Sequence, residues 1–434
     1  RITAIALRCG RTLGENVSGS GNKEDETMGI LTSMFTAVTG LSSYGNAMGV
    51  IGNNIANVGT AGFKSSRATF SDLISSSLAG GSGGDQVGLG VYMNDVQTNF
   101  TQGSITTTGN TFDLAIDGNG FYLLRDSAGA NFYSRAGQFK VDNIGQVVDS
   151  AGALLQGYQA DTNGNITSTI GSITLSSSAV APQTTTTAAI LGNLNANATA
   201  PTTAFSVSDT TSYNFATGMT FYDSLGNSHQ MQLYFRKTAA NTWGVYSQID
   251  GGTAAAQTNM TFNASGALTA GGTQTVTAAL TNGATTPQAV TVSLAAMTQF
   301  GSASGIISQT QDGFASGTLD RISVDKQGHV VAQFTNGQTR PLAQVVLNRF
   351  LNPDGLVSNG DNHFLETIES GAPLSGAPTT NGLGRILSGT IEQSNVDLGK
   401  EFVDMIITQR AFQANSRAIT TSDEMLQELV NLKR

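Results

Sequence analysis

The chain has 434 residues, which predicts two or three domains rather than one core. Only 12% of them are charged, 39% are hydrophobic, 52 are glycine, and the net charge is −9. The charge is about half the usual share of roughly 25%, its place taken by Gly, Thr, Ser, Asn and Gln, which suits turn-rich β-structure or a surface packed against copies of itself.

No basic cluster is present, which argues against a nucleic-acid partner. No apolar run approaches the roughly 20 residues of a membrane span, so no membrane insertion is expected. The single cysteine, Cys9, leaves neither a disulfide framework nor a thiolate metal site in the body of the chain.

Residues 1–27 are polar, charged at Lys23 to Glu26, and without periodicity. They are expected to be a disordered extension. The apolar stretch Ile2 to Leu7 is shorter than a secretory core, and Arg8 before Cys9 does not suit a lipoprotein, so no cleaved signal peptide is expected.

Met28 opens a helical stripe. Apolar residues fall at Leu31, Met34, Val38, Leu41, Met48, Ile51, Ile55 and Val58, and the stripe stops at Gly59-Thr60-Ala61-Gly62.

β-patterning follows. Phe112, Leu114 and Ile116 alternate with polar residues up to Asp117-Gly118-Asn119-Gly120, then Phe121 and Leu123 resume, which predicts a hairpin. Asp or Asn followed three residues later by Gly then recurs, as Asp126/Gly129, Asp142/Gly145, Asp149/Gly152, Asp161/Gly164, Asp223/Gly226, Asn263/Gly266, Asp325/Gly328 and Asn352/Gly355. The side chain caps a type I turn and Gly takes the strained position. The related stretches Val141 to Val148 and Val324 to Val331 flank the centre, which predicts one β-domain made from two separated pieces. Between them, Thr162 to Ser208 and Gly251 to Gln311 hold no charged residue, yet keep alternating apolar positions such as Ile170, Ile173, Leu175, Val276, Leu280, Val290, Val292 and Leu294. An inserted β-domain is expected there, around the strand-like Met219 to Tyr222 and Met231 to Phe235.

The last segment is helical. From Leu398, one set of heptad positions reads Leu398, Met405, Phe412, Ile419 and Leu426. The alternate set, Phe402, Gln409, Ser416, Asp423 and Val430, is broken by polar residues, so a simple two-stranded zipper is not expected. Pairing with the N-terminal helix and with neighbouring subunits is.

No catalytic, cofactor or metal site is expected. His229, His329 and His363 lie far apart without metal-ligand spacing and are taken as solvated turn residues. Gly59 to Lys64 lacks the spacing of a phosphate loop, Asp117 to Gly120 lacks the closing Glu of an EF-hand, and no serine sits in GxSxG. Sequons such as Asn165 and Asn259 matter only in a eukaryotic secretory protein. The chain is not expected to be an enzyme.

Several segments resemble the flagellar axial family of rod and hook proteins. Ile51-Gly52-Asn53-Asn54-Ile55-Ala56-Asn57-Val58 through Lys64 looks like the family's N-terminal signature. Phe112 to Phe121 and Tyr133 to Phe139 resemble its β-motif, and Gly389 to Arg434, with Ser394 to Leu398 and Ile407 to Asn415, its C-terminal signature. Tyr222 to His229, Leu233 to Phe235, Asn348 to Phe350 and Gly355 to Asn362 are similar to hook rather than rod proteins. The match covers Met28 to Arg434; residues 1–27 have no counterpart.

The resemblance implies a mainly β fold with helical termini. Residues 28–70 and 390–434 would form a coiled-coil-like assembly domain and 71–99 a connecting segment. Residues 100–180 and 316–389 would form a discontinuous middle β-domain, and 181–315 an inserted outer β-domain. It implies a structural subunit of the extracellular hook, self-assembling head-to-tail into a curved tube that joins rod and filament. The partners implied are itself, rod and hook-associated junction proteins, the hook cap and the flagellar export apparatus. The expected polymer interface comprises Met34, Val38, Leu41, Met48, Ile51, Asn53, Asn54, Ile55 and Asn57 with Leu398, Phe402, Met405, Phe412, Ile419, Leu426 and Val430. Each stripe would have nothing to bury it within the subunit, leaving the helices poorly ordered until neighbours arrive. The rival readings are another axial component, a distal rod or hook-associated protein, and an exported adhesin-like β protein.

Overall fold

The computed structural model describes residues 21–73, 76–77, 86–161, 164–175 and 179–431. Cys9 and most of the expected extension lie outside them. Helix α1 spans Gly21–Ala56 and helix α2 spans Leu398–Asn431. The chain between them is mainly β.

The start of α1 corrects the boundary expected at Met28. Residues 21–27 are already helical, in a polar stretch that hydrophobic periodicity does not register. At its other end, the Asn57 amide donates to the Asn53 carbonyl at 2.9 Å, and the chain turns through Gly62 at φ +72°. A Cβ on Gly62 would sit 2.5 Å from the Ala136 nitrogen, so only glycine fits this approach to the β-domain.

Strand Ser66–Asp72 then pairs antiparallel with Val91–Thr98. This ladder covers one side of α1: Tyr44 meets Phe70 at 5.5 Å, and the Ser43 hydroxyl donates to the Val91 carbonyl at 3.1 Å.

A large sheet takes strands from two distant pieces of chain. Leu154–Ala160 pairs with both Phe121–Arg125 and Thr339–Val345, and Thr339–Val345 continues into His329–Phe334 and Leu319–Val324. One core lies beneath, built from both pieces, with Leu114, Tyr122, Leu155 and Ile173 against Val330, Val345, Leu347 and Ile386.

The expected hairpin at Asp117 to Gly120 does not form. Leu114–Asp117 pairs instead with Arg385–Ser388, while Phe121–Arg125 joins the large sheet. Alternation identifies which face of a strand is buried but not its partner, and Gly118 at φ +112° and Gly120 at φ +133° carry the chain from one sheet to the next.

The described residues of the charge-free stretches fold into sheets. Thr187–Asn195 runs parallel to Gln288–Ser293 and Thr298–Phe300 and antiparallel to Gly305–Gln311. Phe215–Tyr222, Ser228–Ala239 and Thr242–Ile249 form a second, antiparallel sheet. A separate core fills the space between, around Trp243, Phe221, Phe235, Val276, Val290, Val292 and Leu294.

All eight Asp/Asn-x-x-Gly turns form, each with the Gly N–H donating to the first residue's carbonyl at 3.0–3.3 Å. Three of them hold a histidine, which corrects the solvated reading of the histidines. His363 Nε2 lies 2.5 Å from Asp149, buried and stacked on Phe132, and His329 Nδ1 lies 2.8 Å from Asp325. His229 bridges Asp250, at 2.6 Å from Nδ1, and Asp223, at 3.2 Å from Nε2. In each case one carboxylate oxygen accepts the turn's own N–H groups, leaving the other free for the ring. Sequence spacing misses this because two of the four His–Asp pairs, His229–Asp250 and His363–Asp149, join residues far apart in the chain.

His229 is therefore a pH-sensitive strut. A neutral imidazole has one N–H and cannot donate to both carboxylates, so the bridge requires the imidazolium. Burial alone would push the ring's pKa down, but hydrogen bonds and charge from Asp250 and Asp223 raise it above its ordinary value. A raised folded pKa gives stability that is present below about pH 6.5 and lost as pH rises through the folded value. Thermal unfolding should accordingly shift to lower temperature as the pH is raised from about 6.5 through the folded value, with His229→Gln flattening that slope. The loss should be about 1.5–3 kcal/mol, the scale of a hydrogen bond to a charged group. An unchanged slope in the variant would refute the strut.

Candidate assembly surface

The helices pack antiparallel. Asn54 lies against Glu401, with Nδ2 to Oε1 at 3.2 Å, and further along a Cβ on Gly40 would sit 2.9 Å from Asn415 Oδ1. The buried seam is made of small and polar residues. Ala37, Ala47 and Asn54 on α1 and Glu401, Thr408 and Ser422 on α2 are buried, with Asn54 meeting Glu401 directly, while the buried Ser43 faces the ladder. Short side chains let the two backbones approach closely, and a search for large apolar residues passes over them.

This corrects the expectation that each stripe is unpaired within the subunit. Phe412 packs on the Gly45 side of α1, with 3.9 Å to the position of a Cβ there. Met405, Ile419 and Leu426 are half-buried, as are Met34, Leu41, Met48, Ile51, Ile55 and Asn57. Asn54, expected on the polymer interface, is instead used inside the chain. It accepts from Ser66 N–H at 2.9 Å and donates to the Ser66 carbonyl at 2.7 Å, pinning the ladder to α1. Of the expected interface set, Val38, Asn53, Leu398, Phe402 and Val430 stand exposed. So do Leu31, which the α1 stripe included, and Phe35, Val403, Ile406 and Ile407, which the apolar counting passed over. Exposed residues of that size in a row mark an interaction surface.

Beneath the helix pair lies a junction that sequence reasoning did not find. Lys64 and Glu392 are fully buried with Nζ 2.5 Å from Oε1, and Arg135 Nη1 approaches Oε2 at 3.4 Å. Lys64 also donates to the Thr101 carbonyl at 2.8 Å, Arg135 to the Gly118 carbonyl at 2.8 Å, and Gly103 N–H to Glu392 at 2.9 Å. Nearby, Asn395 accepts from Ser65 N–H at 2.7 Å and donates to the Asn99 carbonyl at 2.7 Å. The exit of α1, the approach to α2 and the β-domain therefore meet on one carboxylate. Burial pulls the Lys64 ammonium below its ordinary pKa, opposed by the Glu392 charge; Arg135 is lowered by burial in the same way. The available signal was scarcity, because in a chain so poor in charge, Lys64 and Arg135 both sit within motifs otherwise uncharged.

Among the described residues no cluster of side chains could hold a metal ion, and no helix is long and apolar enough to cross a membrane.

Four family models match in chain order. They are the flagella basal body rod protein over 34–64, the flagellar hook protein FlgE/F/G D1 domain over 115–193, the flagellar basal body protein FlaE D2 domain over 193–314, and the flagellar basal body rod FlgEFG protein C-terminal over 387–432. The flagellar hook proteins FlgE of Salmonella typhimurium and Escherichia coli are each 41% identical, covering 92% of this chain and 99% of their own. That of Borreliella burgdorferi is 35% identical, covering 93% of this chain and 100% of its own. The solved Helicobacter pylori flagellar hook protein FlgE2 shares the fold at a TM-score of 0.50 and 15% identity, covering 65% of this chain and 98% of its own. With relatives this similar over nearly their whole length, the chain belongs to the flagellar hook protein family, a family of structural subunits.

Proposed function

We propose that this chain polymerises head-to-tail into the extracellular flagellar hook, a curved flexible tube between rod and filament. The observation that carries the reading is the helix hairpin, whose exposed apolar residues have no cover among the described residues, on a chain resembling hook proteins over 92% of its length. A contact of this kind does not close on itself and grows a helix. The helix pair, with the segments 28–70 and 390–434 plus the helical residues before them, forms the inner layer. Residues 71–99 connect it to a middle β-domain of 100–180 and 316–389, and residues 181–315 form the outer domain. Rod and hook-associated junction proteins, the hook cap and the export apparatus are the further partners. The match over 193–314 favours the hook over the rod.

Negative-stain imaging of the concentrated chain should show short curved tubes. A chain ending before Leu398 should form none, while its β-structure persists by circular dichroism. Tubes from the truncated chain would overturn the reading.

A further inference from the structure

Asparagine followed by glycine occurs six times, at Asn119, Asn163, Asn282, Asn336, Asn359 and Asn381. The pair carries a chemistry of its own. The backbone nitrogen of the following residue can attack the asparagine Cγ, and a glycine there leaves the attack unhindered because it has no Cβ. Such asparagines are the thermolabile ones. Which of them reacts depends on how the fold holds each side chain. Asn163 lies outside the described residues.

Two of the other five are tied down. The Asn336 amide donates to the Ala315 carbonyl at 2.8 Å and accepts from Gln338 N–H at 3.1 Å, while the Gly337 N–H itself donates to the Phe334 carbonyl at 2.9 Å. Asn282 donates to Asp223 at 2.5 Å and accepts from Ala284 N–H at 3.2 Å. Two more are hemmed in. The Asn119 carbonyl accepts from Gly384 N–H at 2.7 Å, and a Cβ on Gly120 would meet Leu383 at 3.4 Å. Asn381 is left-handed at φ +50°, and a Cβ on Gly382 would meet the Arg349 guanidinium at 3.3 Å.

Asn359 differs from all four. It is exposed, and among the described residues its side chain makes no hydrogen bond, nor does the Gly360 nitrogen. Nothing lies within 4 Å of where a Cβ on Gly360 would sit. The loop it opens is short. Asn359 N–H donates to the His363 carbonyl at 2.8 Å, and His363 N–H donates to the Gly360 carbonyl at 2.8 Å. Gly360, Asp361 and Asn362 are all left-handed, at φ +86°, +50° and +57°. At its tip the Asn362 amide donates to the Ala61 carbonyl at the exit of α1, at 3.1 Å, and the Asn362 carbonyl accepts from the Ser134 hydroxyl at 2.9 Å. A loop of fixed backbone length therefore ties the β-domain to the end of the helix.

We propose that Asn359 is a self-modification site, at which spontaneous deamidation converts this loop to an isoaspartyl form. The Gly360 nitrogen attacks Asn359 Cγ, the new C–N bond closes a succinimide ring, and the Cγ–Nδ2 bond breaks. Ammonia leaves, carrying the proton that Gly360 loses. Water then opens the ring at either carbonyl, giving aspartate or isoaspartate. Nothing is oxidised or reduced, and water is the only co-reactant. The isoaspartate route moves the side-chain CH2 into the backbone, one atom longer between residues 359 and 360. That displaces the Gly360 carbonyl from His363 N–H and Asn362 from Ala61, and it adds a negative charge beside the exposed Asp361. The contact between the β-domain and the exit of α1 thus loosens as the chain ages. The inference is independent of the polymer reading.

The native chain, held at mildly alkaline pH, should gain one mass unit. Peptide mapping should place the gain first at Asn359, with isoaspartate there labelled by an isoaspartyl methyltransferase. Asn282 and Asn336 must each break two hydrogen bonds to react, so Asn359 should lead them roughly tenfold. The chain unfolded in urea should lose that lead, because the dipeptide is the same at every site. Asn359→Gln, whose ring closure is six-membered and slower, should remove the first phase. Amide exchange at His363 should quicken in the aged native chain and not in the aged variant. A native chain in which another Asn–Gly pair reacts first overturns the proposal, as does a lead that persists on unfolding. Unchanged exchange at His363 after modification overturns the loosening of the loop.

Discussion

Glu392→Ala should lower stability by about 3–5 kcal/mol, the cost of removing one partner from a buried ion pair. Lys64 and Arg135 would be left as two buried cations, with only carbonyls to face. The Gly103 N–H would lose its acceptor as well. For a unit of 150–250 residues each kcal/mol is about 2–4 °C, so the transition of the central β-domain should fall by roughly 10 °C. The inserted strands have a separate core around Trp243 and should melt unchanged, which makes the effect separable by calorimetry. Glu392→Gln keeps the shape and should recover part of the loss. A shift below about 1 kcal/mol would mean that water reaches Lys64 and that the junction is not a clamp.

Replacing residues 181–315 with a short Gly/Ser linker should leave the remaining chain folded. The two ends of the insert are already hydrogen-bonded: Val180 N–H donates to the Gly317 carbonyl at 2.8 Å, and Gln183 and Phe314 exchange two bonds of 3.0 Å. Closing so small a gap costs little, since loop entropy rises slowly with length. The core spanning Leu114 to Ile386 contains no residue of the insert. The shortened chain should still polymerise through its helices. Its tubes should be straighter, because the outer-layer contacts would be gone. In the proposed tube those contacts would involve stretches without charge, where Thr, Asn and Gln surfaces would permit many near-equivalent hydrogen-bonded arrangements as subunits slide. Failure to fold would place the domain boundary elsewhere, and tubes of unchanged curvature would remove the outer domain from control of shape.

Much of this was legible in the residues. The eight Asp/Asn-x-x-Gly turns form because their chemistry is contained within five residues, and the helical termini follow from local apolar spacing. The core positions Val276, Val290, Val292 and Leu294 follow from alternation, which any strand buried on one face must show. What the tertiary structure decided is which elements meet. Leu114–Asp117 could as well have turned back on Phe121–Arg125, and only the fold brought Arg385–Ser388 beside it. The helix seam at Gly40, Asn54, Glu401 and Asn415 is invisible to hydrophobic counting, because close backbone approach selects small and polar residues rather than apolar ones. Lys64, Arg135 and Glu392 are ordinary surface charges in sequence, since whether a charge is buried depends on groups more than two hundred residues away. Local chemistry determined the elements and turns; long-range packing determined which apolar face stayed bare and which three charges went inside.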